Sequence, residues 1–368
     1  MKVPLLSPGS SKPAPHLYFV NTPVDALLIG GLSIVAFLAM GALQRVHGQQ
    51  LQWMGAVAAL TWLCNWPHFA ATSYRLYHSQ ENIAQYPLTA LLIPVVMVAA
   101  IISSLAAPYT IAPYFVKLYL IWSPYHYSGQ SVGISLIYAR RAGFPFGRLE
   151  RLALSGFIFG TFIAQTVRSE VGVSRQAFYG VTYPSIGLPP WTATVATTAM
   201  IVSGVVFLVL VLRWCVMTRR MLPPIVFLPA VTQFVWFVLG WRVPSFYSFV
   251  PFFHGLQYLL IAWAMQLSET MAQHGIKPST SFVGGESLRW GIGILLGGTA
   301  LFWLLPHVVA TAGFDYNLAY PVVIAAVQVH HFFVDGVIWK LRNPGVGGPM
   351  LVNVEDLVRR PRAAVAAA

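Results

Sequence analysis

The sequence predicts an all-α fold, a polytopic bundle of membrane-crossing helices. Three observations carry that expectation. Of the 368 residues, 57% are hydrophobic and only 9% charged, with a mean hydropathy of +0.67; a soluble domain carries about 25% charged residues. Apolar stretches close to the ~20 residues that a bilayer-crossing helix needs recur along the chain. The 12 Trp, 16 Tyr and 23 Phe suffice for aromatic belts at both membrane faces.

Taken in order, about 10 stretches read as spans: 22–43, 51–72, 87–107, 112–139, 150–167, 191–212, 222–241, 245–267, 288–309 and 318–340. The fourth contains Pro113 and Pro124, so a kink or tilt is expected there. The seventh, with Pro223, Pro224 and Pro229, is the most interrupted.

Basic residues sort by loop. Lys2, Lys12, Arg75, Arg140, Arg141, Arg148, Arg151, Arg213, Arg219, Arg220, Lys277, Arg289, Lys340, Arg342, Arg359, Arg360 and Arg362 fall on one side. Arg45, Arg168, Arg175 and Arg242 fall on the other. By the positive-inside rule this asymmetry gives an N-in/C-in arrangement. The expected organisation is a cytoplasmic tail at 1–21, one transmembrane domain at 22–340 and a second cytoplasmic tail at 341–368. The formal charge of +12 fits basic loops facing anionic lipid. No basic aromatic module is visible, so the expected partner is the bilayer and not nucleic acid.

No compact apolar core marks the Pro- and Ser-rich first twenty residues as a cleavable leader. Cys64 and Cys215 lie in or beside apolar segments, belong to no CxxC pair and read as small buried hydrophobes.

The chemistry is expected at histidines. Five of the ten fall inside spans. His68 follows Pro67 in the second, His126 lies between Tyr125 and Tyr127 in the fourth, His254 precedes Gly255 in the eighth, and His330 and His331 are adjacent in the tenth. In the N-in arrangement these helices all run from outside to inside, so depths compare directly. At 1.5 Å per residue His254 lies roughly 14 Å deep, His126 and His331 roughly 20 Å and His68 roughly 25 Å. Ionisable groups at such depth are costly and mark function by default. Facing helices of a bundle build metal sites in this way.

Neighbours one helical turn away supply candidates for orienting the rings: Gln130 after His126, Gln257 and Tyr258 after His254, Gln328 before His331. Asp335, four residues after His331, reads as a ligand, as a base or as the partner of a nearby cation; no other acid is expected deep in a span. Arg75 lies seven residues after His68 on the same face, placed to pair with Asp335 or with an anionic headgroup. Tyr125 flanks His126 and is a candidate lining residue. Lys117 is expected to snorkel outward. His16, His47, His78, His274 and His307 read as exposed or interfacial.

Three or four imidazoles suit iron, copper or zinc rather than magnesium or calcium. Iron with open positions would permit oxygen chemistry, and two axial histidines would hold a haem. Three functions fit: a metal-dependent membrane oxidoreductase acting on a lipophilic substrate, a proton-coupled transporter with a His/Asp relay, and a non-catalytic scaffold. HxxxH and HxxHH boxes, HExxH, a P-loop, GxGxxG and GxSxG are absent in usable context.

The stretches Pro67-His68-Phe69-Ala70-Ala71-Thr72 and His330-His331-Phe332-Phe333-Val334-Asp335-Gly336 resemble motifs of uncharacterised bacterial multi-span proteins. That resemblance implies a bacterial inner (plasma) membrane. Single histidines spread over several spans, with Tyr125-His126-Tyr127, are similar to the Brp/Blh-like β-carotene dioxygenases. This likeness implies a membrane enzyme with histidine-held iron. That family's early His-Gly-x-x-Asp pattern has no counterpart in the chain.

Overall fold

The computed structural model describes residues 16–47, 53–339 and 352–358. The fold is all-α apart from one hairpin. The long rods are α1 (Thr22–Val46), α2 (54–77), α3 (Leu88–Ala106), α4 (Ala112–Arg141), α5 (Arg148–Ser169) and α6 (Trp191–Thr218). They are followed by a short α7 (Leu228–Phe234), then α8 (Val250–His274), α9 (Thr280–Thr311), α10 (Tyr316–Ile338) and a small α11 (Val354–Val358).

Six rods are long and apolar enough to cross a membrane: α1, α3, α6, α9, α10 and the Pro244–His274 stretch that contains α8. The expectation of about 10 spans is therefore met only in part. α2, α4 and α5 are long but less apolar. The 222–241 segment is not one helix; it breaks into Pro224–Val226, α7, the π turn Val235–Leu239 and Gly240–Arg242. Its prolines lack the N–H that would continue a helical ladder.

Several rods are interrupted by a π turn. Three such turns, Thr61–Asn65, Leu88–Leu92 and Ala300–Leu304, end two residues before a proline, at Pro67, Pro94 and Pro306. A proline leaves a carbonyl one turn back without its donor and crowds it. A widened turn absorbs both effects without breaking the rod. Pro124 is accommodated without a break in α4.

The hairpin pairs β1 (Arg175–Phe178) with β2 (Val181–Pro184), antiparallel, with Phe178 opposite Val181. Lys117 of α4 pins it. Its ammonium donates to Glu170 Oε2 at 2.7 Å and to the Pro184 carbonyl. The expected outward snorkelling of Lys117 is thus corrected: the side chain is buried because it has a buried acid to pair with.

Other expectations change as well. Asp335 is not the only buried acid in a candidate span: Asp25, near the start of α1, is fully buried. It accepts from the backbone N–H of Phe19 and Val20 and from Tyr138 Oη. Part of the supposed C-terminal tail packs against the bundle. Val354 N–H donates to the Phe19 carbonyl, and Asn353 Nδ2 donates to the carbonyls of Tyr18 and Val20. Arg141 donates to the carbonyls of His16, Tyr18 and Val352. Lys2, Lys12, Lys340, Arg342, Arg359, Arg360 and Arg362 lie outside the described residues.

Candidate metal centre

Four helices deliver one histidine each to a common point. α2 supplies His68, α4 His126, α8 His254 and α10 His331. One ring nitrogen from each lies within 4.8 Å of the others. The His126 and His331 Nε2 atoms are 3.1 Å apart. The His68 ring centroid lies 4.4 Å from that of His331 and 4.8 Å from that of His254.

Close helix approach makes this convergence possible. A Cβ on Gly298 of α9 would fall 2.5 Å from the Trp66 carbonyl carbon. A Cβ on Gly255 of α8 would lie 3.1 Å from the Cys64 carbonyl oxygen. Glycine at these two positions lets the backbones of α8 and α9 close on the turn of α2 that presents His68. Aromatic rings fill the remaining space: Tyr127 packs on His254 at 4.1 Å, Phe69 on His331 at 4.5 Å and Phe332 on His126 at 4.8 Å.

The electrostatics of the cluster are unusual. His68 and His254 are fully buried, yet neither ring nitrogen of either has a hydrogen-bond partner among the described residues, nor does His331 Nδ1. A buried polar group without a partner costs about 1–3 kcal/mol. Imidazole nitrogens crowded together in this way either share a proton or share a cation. Four nitrogens around one tetrahedral ion, at ~2.0–2.1 Å from it, would stand roughly 3.4 Å apart. The observed nitrogens, all within 4.8 Å of one another and two of them 3.1 Å apart, are spaced on that scale.

Asp335 adjoins the cluster. Its Oδ2 lies 3.5 Å from both His126 Nε2 and His331 Nε2. Its Oδ1 accepts from Thr72 Oγ1 and Trp339 Nε1, each at 3.1 Å. Thr72 in turn lies 2.6 Å from Tyr258 Oη. The carboxylate is thus held from one side and directed at two of the four rings. Thr72 and Trp339 are absent from the residues picked out in the sequence. Both were within reach, since Thr72 is four residues after His68 and Trp339 four after Asp335, the same spacing that singled out Gln130.

The remaining candidates divide. His330 does not join the site. Its side chain leaves α10 about 100° from that of His331, and its Nε2 lies 2.9 Å from Tyr77 Oη instead. Arg75 does not reach Asp335. It makes a two-pronged pair with Glu269 at 3.0 and 3.2 Å and lies over the Trp339 ring. Tyr125 is 52% exposed and packs against Phe159, and it touches none of the four rings but lines the cleft that has His126 in its wall.

Gln130 Nε2 donates to the His254 carbonyl and to Gln257 Oε1, and Gln257 donates onward to the Ile29 carbonyl. Gln328 accepts from Ser123 Oγ. These amides fix helix positions and bond to no ring nitrogen of the cluster. Tyr258 does touch it, with its ring 4.4 Å from that of His68.

No family model matches this sequence, and no curated protein and no solved structure matches it. The site therefore rests on its own geometry. A cleft of about 280 Å³ opens beside it, with His126 and Asp335 in its wall.

Proposed function

We propose that the protein is an integral-membrane metalloprotein of the bacterial inner membrane, and that His68, His126, His254 and His331 hold one transition-metal ion. The supporting observation is the set of buried ring nitrogens from four helices, within 4.8 Å of one another and largely without partners. An all-imidazole donor set favours iron, copper or zinc over magnesium or calcium. Convergence of four rings on one point favours a single non-haem ion over a haem, which would take two axial histidines on opposite faces.

Iron is the preferred ion and oxidoreductase chemistry the preferred activity. Iron bound by four histidines retains open positions and supplies redox and oxygen chemistry to whatever lies beside it. The chain's own part is to bind, orient and exclude water. The aromatic packing keeps the rings dry. Asp335, fixed by Thr72 and Trp339, aims a carboxylate oxygen at the converging Nε2 atoms of His126 and His331, where it would add an oxygen donor to the site or accept a proton at Oδ2. The basic loops fit an N-in/C-in topology in which α2, α4, α5 and the broken 222–241 segment also cross the bilayer, shielded by the more apolar rods.

Elemental analysis of detergent-purified protein tests this reading. About one iron per chain is expected, falling to a small fraction in His68→Ala or His254→Ala. Stoichiometric protein with no transition metal, or with metal content unchanged in both variants, contradicts it.

A further inference from the structure

The cleft beside the metal centre carries a second reading, which rests on the first. It runs along α4 from Trp122 to Ile137. That is about 22 Å of helix at 1.5 Å per residue. Its mouth lies on the flank of the bundle, midway along α4, where Tyr125, Gly129 and Gly336 are exposed. A mouth on the flank faces lipid, whereas a mouth at the helix ends would face water. Apolar side chains such as Phe159, Ile261 and Phe332 form most of the wall, and His126 and Asp335 stand within it.

Three glycines line the cleft, and helix packing explains none of them. A Cβ on Gly133 or Gly336 would meet nothing within 4 Å, and one on Gly129 would meet only Phe159 Cζ at 3.9 Å. Gly255 and Gly298 differ, since there a Cβ has no room. Glycine inside a helix is destabilising relative to alanine, and uncrowded glycines also occur in α9, so what sets these three apart is their shared place in the cleft wall. Beside them, Gln130 Oε1 is buried and accepts no hydrogen bond. A cleft of about 280 Å³ drawn out over that length suits the width of a single chain.

We infer that the cleft is a lateral path from the bilayer to His126 and Asp335, that it takes a single-chain apolar molecule carrying one hydrogen-bond donor such as a hydroxyl, and that Gly129, Gly133 and Gly336 set its width. The chain lies along the aromatic and aliphatic wall, and its hydroxyl donates to Gln130 Oε1.

Photolabelling of the full chain in lipid nanodiscs tests this. The probe is a long-chain alcohol bearing a terminal alkyl diazirine, and the labelled peptides are mapped by mass spectrometry. Saturable labelling is expected on the 122–137 and 332–339 segments, displaced by the unlabelled alcohol and far less by the alkane of equal length. Gly133→Leu and Gly336→Leu are expected to lower it about tenfold by filling the path. Gly284→Leu, at an exposed glycine outside the cleft, is expected to leave it unchanged.

Labelling spread evenly over α6 without competition overturns the inference. So does equal displacement by alkane or by a diacylglycerol, or full labelling in both leucine variants. Metal content is measured on the same samples. Cleft labelling in protein that binds no metal supports the path and overturns the metal centre, whereas bound metal without cleft labelling overturns the path alone.

Discussion

Two polar knots are buried in this bundle, and they are built in opposite ways. Around Asp25 the carboxylate is fully engaged: it accepts from two backbone N–H groups and a tyrosine, while Arg141 and Asn353 tie the chain at 16–20 to the chain at 352–354. Around His68 the reverse holds, with two fully buried imidazoles whose four nitrogens bond to nothing among the described residues. A knot that satisfies itself serves the fold. One that leaves its ring nitrogens without partners is the place where the proposed ion would sit.

The largest effect that separates the two is on stability. Asp25→Ala strands two backbone donors and the Tyr138 hydroxyl in the interior. A loss of about 3 kcal/mol or more is expected, read as a lowered unfolding midpoint in detergent. His254→Ala in metal-free protein removes a group that already lacks partners, so it is expected to cost clearly less in the same assay. An equal cost for the two would erase the contrast. Chelation sharpens it: removing metal from the wild type is expected to lower the midpoint by about 2–4 kcal/mol equivalent, and to leave His68→Ala unaffected.

An intermediate effect is expected at the helix contact. Gly298→Ala places a methyl group against the α2 backbone at Trp66. Overpacking of this kind costs roughly 1–3 kcal/mol. Here it is expected to displace His68 and weaken metal retention in an equilibrium-dialysis measurement, with the helical circular dichroism unchanged.

The smallest effect is expected at His330. Its replacement by alanine removes only the contact with Tyr77 and is expected to change stability by about 0.5 kcal/mol or less, with metal content intact. Metal loss in His330→Ala would mean that the adjacent pair acts together.

These contrasts also mark how far the sequence could be read. Histidine inside an apolar stretch is expensive, so His68, His126, His254 and His331 stood out from their surroundings, and the topology expected from the basic loops put them at comparable depth. The choice between His330 and His331 was open because adjacent residues on a helix point about 100° apart; only packing against Phe69 and His68 decides it. The number of crossing helices was less legible, since apolar stretches of near-span length also form rods such as α5 that are long but fall short of the apolarity of the other six. Arg75 was assigned the wrong partner because the competing acid, Glu269, lies on another helix at a distance that no single-helix spacing encodes. The sequence offered no sign that the chain at 18–20, whose backbone holds Asp25, is itself tied to a segment more than three hundred residues away.

The central claim is that four imidazoles surround one ion. X-ray absorption at the metal edge of the purified, metal-loaded protein tests it most directly. The expected spectrum has about four nitrogen scatterers near 2.0–2.2 Å with the outer-shell pattern of imidazole, reduced by one in His254→Ala. A shell of sulfur, a porphyrin pattern, or a spectrum identical in wild type and His254→Ala would contradict it.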